Sequence, residues 1–182
     1  VAGALITTTE GCTLLGYAAG DAINHVDAKG TTAVGYAAAS AITSGIGNVA
    51  IGSGSLFTED TGDKNVAVGT EALHYQNRDG TVGNTAVGWR AGHSITTGYK
   101  NTLMGISAGL VATTASGSVF IGYSAGGGNT TGNNNIGIGN GTLNASATTG
   151  DNNIAIGASA GDALSSGQNN VLMGPEAGGA VT

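Results

Sequence analysis

The stretch GNTAVGWRAGHSITTG, residues 83–98, contains the pattern that decides the fold. Three β-favouring residues, Thr85 to Val87, stand before Gly88, small residues follow, and a Thr-Thr-Gly turn ends the segment. The same order returns along the chain, with each strand-end glycine 17 to 19 residues after the previous one. A near-constant period over so many copies predicts a repeat architecture. The strand-end glycines are Gly16, Gly35, Gly52, Gly69, Gly88, Gly105, Gly122, Gly139, Gly157 and Gly174.

The length of the repeating unit indicates which repeat architecture this is. A unit of about 17 residues with one strand and two glycine turns is too short for a strand–helix–strand crossover or a helix pair, and it suits one coil of a β-solenoid. We therefore predict an all-β fold, a parallel β-solenoid (β-roll) of ten coils of 17–19 residues. The coils would form a single domain over 11–182, with 1–10 as a lead-in or N-terminal cap. Stacking at about 4.8 Å per coil gives a rod of roughly 45–50 Å.

The composition excludes several classes of function. Glycine supplies 35 of the 182 residues, only 9% are charged, and the net charge of -6 leaves no basic footprint for nucleic acid. No apolar run approaches the roughly 20 residues of a membrane-spanning helix, so we expect no membrane insertion. The single Cys12 excludes an intramolecular disulfide and a cysteine zinc site. The composition is typical of a repetitive extracellular structural protein, and we predict no enzymatic activity, no cofactor and no metal.

Both faces of the predicted strands are free of charge, which predicts an assembly of several chains. Because side chains alternate across a strand, we expect the two outer positions to fill the coil and the middle position to point away from it. A middle position without charged residues would then be the interface of a homo-oligomer. The alternative is a monomeric solenoid wide enough to cover both faces. The predicted interface residues are Ala33, Ala50, Ala67, Ala86, Leu103, Phe120, Ala155 and Leu172.

An asparagine column precedes the strands, four residues before the strand-end glycine. Stacked amide side chains can form hydrogen bonds along a parallel ladder, so this column supports the stacked-coil prediction. Cys12 occupies the position in the first coil, which indicates an atypical end coil. The column consists of Asn48, Asn65, Asn84, Asn101, Asn135, Asn153 and Asn170.

At these residues the chain resembles the YadA-like head repeat of trimeric autotransporter adhesins. NVAIG (48–52), NVAVG (65–69) and NNIAIG (152–157) match the core of that repeat. The segment 83–98 is similar to the NTAVGxxAG and TTG arrays of phage tail fibres. The resemblance implies a left-handed parallel β-roll assembled as a homotrimer, located outside the cell on a virion tail fibre or a bacterial surface.

The expected function is that of a non-enzymatic structural and adhesive segment of a trimeric surface fibre. Such a segment gives reach and multivalent contact with a receptor during host attachment. Its partners would be further copies of itself and a cell-surface glycan or receptor. Two alternatives stay open: a tail spike that degrades polysaccharide, and a self-assembling extracellular filament whose end coils stack on one another.

Aromatic residues follow the strand-end glycine in several coils and are the candidate ligand contacts. Exposed aromatic rings can stack on sugar rings, which suits a surface fibre. The alternative is that they pack at a seam between subunits. These residues are Tyr17, Tyr36, Trp89 and Tyr123.

Other motifs imitate functional sites without the context that such sites need. GxSxG surrounds Ser107, Ser124 and Ser159, but the repeat places unrelated residues in the same position of other coils. His25, His74 and His93 are expected to be separate solvated surface residues, and the adjacent threonines of the TTG turns should not share a flat ice-binding face. A pair of carboxylates for glycan hydrolysis would have to come from adjacent coils 3 and 4, where the candidates are Glu59, Asp60, Glu71 and Asp79. A loose calcium contact would involve Glu59, Asp60 and Asp63, although their spacing fits no calcium motif.

Overall fold

The computed structural model describes residues 11–23, 28–145 and 147–179. Within these ranges the chain contains no helix, and its ten three-residue strands form one parallel sheet. Strands of successive coils pair with one another along the whole sheet, which confirms the predicted β-solenoid. Two further strands, of two residues each, form a separate pair. The predicted lead-in 1–10 lies outside the described residues.

The ten coils are numbered here in chain order by the strands of the main sheet. The strands of that sheet are β1 (Thr13–Leu15), β2 (Thr32–Val34), β3 (Val49–Ile51), β5 (Val66–Val68), β7 (Thr85–Val87), β8 (Thr102–Met104), β9 (Val119–Ile121), β10 (Ile136–Ile138), β11 (Ile154–Ile156) and β12 (Val171–Met173). The separate pair consists of β4 (Gly62–Asp63) and β6 (Gly80–Thr81).

The register stacks equivalent residues of successive coils. Ala86 of β7, for example, pairs with Leu103 of β8, and Val87 pairs with Met104. The same alignment holds at every pairing of the main sheet, so each column of the sequence repeat becomes a column of neighbouring side chains.

The strand side chains point in the opposite direction from the one predicted. The middle positions face the inside of the coil, and in coils 2 to 9 they are almost completely buried within the single chain. The middle residue Leu172 of the last coil packs against the same core. The prediction that the middle column forms the subunit interface is therefore wrong. The residues of this incorrect interface prediction are Ala33, Ala50, Ala67, Ala86, Leu103, Phe120, Ala155 and Leu172.

The physical reason for this orientation is the narrow interior of the coil. The residue six positions after the middle residue also points inward, and the two share the available volume. The large Phe120 is matched by Gly126, where an added Cβ would lie 2.4 Å from the aromatic ring. Leu103 is matched by Gly109 in the same way, with an added Cβ 2.9 Å from the leucine methyl group. Small residues in the middle column therefore reflect a filled interior, not a close approach of two chains.

The asparagine column forms the predicted ladder. Asn48 Oδ1 accepts a hydrogen bond from the backbone N–H of Asn65 at 2.9 Å, and Asn48 Nδ2 donates to the carbonyl oxygen of Gly62 at 2.7 Å. Asn84 repeats both bonds, with the N–H of Asn101 and with the carbonyl oxygen of Gly98. Because these amides are buried and form hydrogen bonds with backbone groups of the neighbouring coil, they fix the corner before each strand.

The strand-end glycines make the closest contact between coils. Gly88 has a φ of 137°, and a Cβ added there would lie 2.4 Å from the carbonyl oxygen of Gly105 in the next coil. Gly83, in the same coil, has a φ of 65° but has open space around its Cα. The two glycines thus serve different purposes: Gly88 permits close stacking, and Gly83 only permits the left-handed backbone.

We expect Gly88→Ala to lower the free energy of unfolding by about 2–4 kcal/mol, because the new methyl group meets backbone and the φ is unfavourable. Gly83→Asn is the matched control, since asparagine occupies this position at Asn134 with a φ of 55°. The free energy of unfolding of this control variant should stay within about 0.5 kcal/mol of that of the parent chain. Urea denaturation measures both values. Equal stability of the two variants would contradict the tight contact at Gly88.

Candidate functional site

The outward face of the main sheet is a continuous apolar surface, which we call the outward strip. It consists of the two outer positions of every strand, and no position in it is charged. Ile51, Met104 and Ile138 are 38%, 47% and 37% exposed in the single chain. The first column of the strip is Thr13, Thr32, Val49, Val66, Thr85, Thr102, Val119, Ile136, Ile154 and Val171. The second column is Leu15, Val34, Ile51, Val68, Val87, Met104, Ile121, Ile138, Ile156 and Met173.

The four aromatic residues predicted as ligand contacts border this strip, two residues after its second column. All four are exposed, and the rings of Tyr17 and Tyr36 stack with their centroids 5.7 Å apart. Ile106 lies in the same column between Trp89 and Tyr123 and is also exposed. Contact with a ligand and packing at a subunit seam both require exposure, and these residues meet that requirement.

The serines of the GxSxG segments occupy turns, not nucleophile elbows. Ser107, Ser124 and Ser159 all have the left-handed backbone conformation, with φ between 51° and 58°. Glu71 and Arg90 have the same conformation in the same position of other coils. A nucleophile elbow leads from a strand into a helix, and the described residues contain no helix. The motif is therefore a by-product of a turn that recurs in each coil.

Two of the histidines lie together, contrary to the prediction that they are separate solvated residues. The rings of His74 and His93 stack with centroids 5.4 Å apart, and Phe57 of the preceding coil stacks on His74 at 4.9 Å. Tyr75 meets both histidine rings edge-on. The prediction overlooked that both histidines lie five residues after a strand-end glycine, so His74 and His93 occupy equivalent positions in adjacent coils. His25 lies outside the described residues.

An ion pair accompanies the histidine stack. Arg90 Nε lies 2.6 Å from Glu71 Oε2, and His93 Nε2 lies 3.4 Å from the same oxygen. The hydrogen bond from Arg90 holds the pKa of the Glu71 carboxyl below its usual range. Burial, together with the charge of Arg90 and the neighbouring His74, lowers the pKa of His93, although Glu71 opposes this shift. His93 is thus favoured in its neutral form.

The acidic residues of coils 3 and 4 hold neighbouring coils together. Asp60 accepts a hydrogen bond from the hydroxyl group of Thr43, and Asp63 Oδ1 accepts one from the backbone N–H of Ile46 at 2.8 Å. Asp79 accepts from the hydroxyl group of Thr61. Among the described residues, no group of three or more histidine, cysteine or acidic side chains is placed to hold a metal ion. These carboxylates therefore have structural partners already.

Glu59 differs from the other acidic residues because it is completely buried. Its Oε1 accepts hydrogen bonds from the backbone N–H groups of Gly62 at 2.8 Å and Asp60 at 3.1 Å, whereas its Oε2 has no partner. Burial raises the pKa of the Glu59 carboxyl, and the backbone hydrogen bonds only partly oppose this. The sequence pattern did not predict this burial, since the residue lies in a polar segment.

The threonine turns form another ladder between coils. The hydroxyl group of Thr96 donates to the carbonyl oxygen of Thr113 at 3.1 Å, and Thr113 donates to that of Thr130 at 3.2 Å. The first threonine of each turn is therefore engaged with the next coil, as expected for a structural role.

Comparison with protein-family models, with curated proteins and with solved structures finds no match to this chain. In the part of the chain that the structure describes, no helix is long and apolar enough to cross a membrane. The class of protein that the fold defines is the parallel β-solenoid repeat proteins.

Glu59→Gln tests the buried carboxyl. Because the folded-state pKa is raised, the folded chain binds the proton more tightly than the unfolded chain, and its stability falls as pH rises above about 4.5, the ordinary value. The measured quantity is the melting temperature of Glu59→Gln minus that of the parent chain at the same pH. We expect this difference to be more positive at pH 7.5 than at pH 4. Thermal unfolding followed by circular dichroism measures this difference.

Glu71→Gln is the control with the opposite sign. The lowered pKa of Glu71 contributes stability above its ordinary pKa, and this contribution is lost as pH falls. The melting temperature of Glu71→Gln minus that of the parent chain should therefore be more negative at pH 7.5 than at low pH. The same pH trend in both variants would contradict the assigned pKa directions.

Proposed function

We propose that this chain is a non-enzymatic rod segment of a homotrimeric surface fibre, which provides reach and multivalent attachment to a host. The observation that carries the proposal is the outward strip, a charge-free apolar surface along all ten strands. At about 4.8 Å per strand the strip is more than 40 Å long. Monomeric proteins rarely leave a contiguous apolar surface of this extent in water, so a partner that covers it is expected.

A second copy of the same chain is the occupant that fits the strip best. Its own strip repeats at the same spacing, so identical levels meet identical levels along the whole rod. The chain has a net charge of -6, which would oppose association, but none of its acidic residues lies in the strip. Self-association thus buries apolar surface without bringing carboxylates together at the contact. The resemblance to trimeric head repeats makes three copies the specific expectation.

A structural role is favoured over glycan hydrolysis by the state of the carboxylates. Hydrolysis needs two carboxyl groups that face a substrate across a groove. Glu59 is buried, and Asp60 and Asp79 accept hydrogen bonds from neighbouring coils. Glu71 is paired with Arg90.

Attachment would use residues beside the strip. Tyr17, Tyr36, Trp89 and Tyr123 are exposed next to it, and each would be present three times around a trimer. Three weak contacts acting at one effective concentration raise avidity without any new interaction. This arrangement suits a location outside the cell, on a virion or a bacterial surface.

Mass measurement by light scattering tests the assembly, with three times 17.4 kDa expected for the parent chain. The double variant Val68→Lys and Val87→Lys places two ammonium groups per chain on adjacent levels of the strip. We expect it to keep its β-type circular dichroism spectrum and to run as a monomer of 17.4 kDa, because three copies would bring like charges together in a desolvated contact.

Two controls separate assembly from folding. Ala67→Lys forces a charge into the coil interior, where Ala67 has no exposed surface, and should abolish the folded structure itself. Thr131→Lys changes an exposed turn away from the strip and should leave the trimer intact. A monomeric parent chain would overturn the proposal, and a trimeric double variant would place the contact elsewhere.

A further inference from the structure

A polar groove lies along the corner that precedes strands β8 to β11. Its volume is about 620 Å³, and its lining comes from four successive coils. The lining residues are Tyr99, Lys100, Thr114, Ser116, Gly117, Asn133, Asn134 and Asp151. With its position before the strands, the groove is separate from the aromatic column, which follows the strands.

One end of the groove carries positive charge in a chain that is acidic overall. Lys100 lines the groove, and its Nζ lies 5.5 Å from the centre of the Tyr99 ring. The guanidinium group of Arg78 lies 4.2 Å from the centre of the same ring and donates to the carbonyl oxygen of Thr97 at 3.0 Å. Within the described ranges neither cation forms an ion pair with a carboxylate. Lys100 is therefore free to attract an anionic group at this end of the groove, with Arg78 adding positive charge behind Tyr99 and the carboxylate of Asp151 lying at the opposite end.

The rest of the groove is a row of polar side chains held in place by the backbone. Ser116 Oγ accepts from the N–H of Tyr99 at 3.2 Å, and Asn133 Oδ1 accepts from the N–H of Ser116 at 3.0 Å. Asp151 Oδ1 accepts from the N–H of Asn133 at 2.7 Å. Asn134 is exposed, and its left-handed backbone is shared with Lys100. Hydroxyl, amide and carboxylate groups thus recur at the spacing of the coils, as pre-organised hydrogen-bonding partners.

We propose that this groove binds an acidic glycan, with a sugar carboxylate at Lys100 and the following sugar hydroxyl groups along Ser116, Asn133 and Asn134. The lining is hydroxyl, amide and charged, with Tyr99 as its aromatic member, which suits a sugar chain better than an apolar ligand. A charge-assisted bond to Lys100 supplies orientation. The groove extends over four coils, and this length favours an oligosaccharide over a single sugar acid.

The proposal names the receptor class for the proposed fibre but does not depend on assembly, because every lining residue belongs to one chain. Light scattering on the same samples reports the oligomeric state separately. A chain that binds glycan as a monomer would overturn the fibre proposal alone. A trimer that binds no glycan would overturn only the proposal that the groove binds a glycan.

Calorimetric titration with tetragalacturonate, galacturonate monomer and the neutral maltotetraose tests the groove. We expect the acidic tetramer to bind at least about tenfold tighter than either of the other probes, since it alone offers both the charge and the length. Equal affinity of the neutral tetramer, equal affinity of the monomer, or no binding of the acidic tetramer would each overturn the proposal.

Variants at one repeat position supply the matched control. Lys100→Glu should weaken binding of tetragalacturonate by about tenfold or more. Lys64→Glu makes the same charge change at the equivalent exposed position of coil 4, outside the groove, and should leave the affinity within about twofold. An equal loss in both variants would show general charge attraction instead of a site.

Asn134→Gly tests the hydrogen-bonding row without straining the backbone, because Gly117 occupies the same position of the preceding coil. The variant should lower the affinity for tetragalacturonate several-fold, by about the value of one hydrogen bond. The affinity for the galacturonate monomer should not change. An unchanged affinity for tetragalacturonate would show that this row of polar side chains does not bind the glycan.

Discussion

The narrow interior of each coil is the constraint on which the rest of the structure depends. The middle residue of each strand and the residue six positions later share one small volume with their neighbours in the adjacent coils. Phe120 is therefore matched by Gly126, and Ala67 by the buried Leu73. With the interior filled in this way, the β-branched residues at the outer strand positions point outward. The apolar outer surface follows from the packing inside, and its exposure is the feature on which the proposed self-association rests.

The fold could be predicted from the sequence because one period relates almost every residue. The period, the three-residue strands and the asparagine ladder all follow from columns that stack in register. The orientation of the strands was predicted wrongly, since alternation alone says that two faces differ and not which one is inside. The signal that decides it is present in the sequence: Leu14, Leu103, Phe120 and Leu172 each have glycine six residues later. A large residue matched by glycine within one coil indicates a shared interior volume.

Some features of the structure were not predicted from the sequence pattern. His74 and His93 each lie five residues after a strand-end glycine, so their stacking follows from the repeat and could have been predicted. The polar segment 57–64 hides the burial of Glu59, since a carboxylate is expected outside unless its hydrogen-bonding partners are known. The groove at Tyr99 is built mainly from two consecutive positions of the repeat in four coils, so the period itself places these residues side by side. Their varied side chains form no motif of known chemistry, and only the stacked structure shows that they enclose a groove.

The repeat separates the residues that hold the coil from the residues that face outward. Asparagine and threonine ladders, inward apolar residues and strand-end glycines use nearly all the positions needed for folding. The side chains after each strand-end glycine and before each ladder asparagine take no part in the ladders or the core. These positions hold residues as different as Trp89 and Asn140, or Lys100 and Gly83. Surface chemistry can therefore change from coil to coil while the stacking stays intact. That independence explains how charged residues can concentrate between positions 59 and 100 of a rod whose backbone is otherwise uniform.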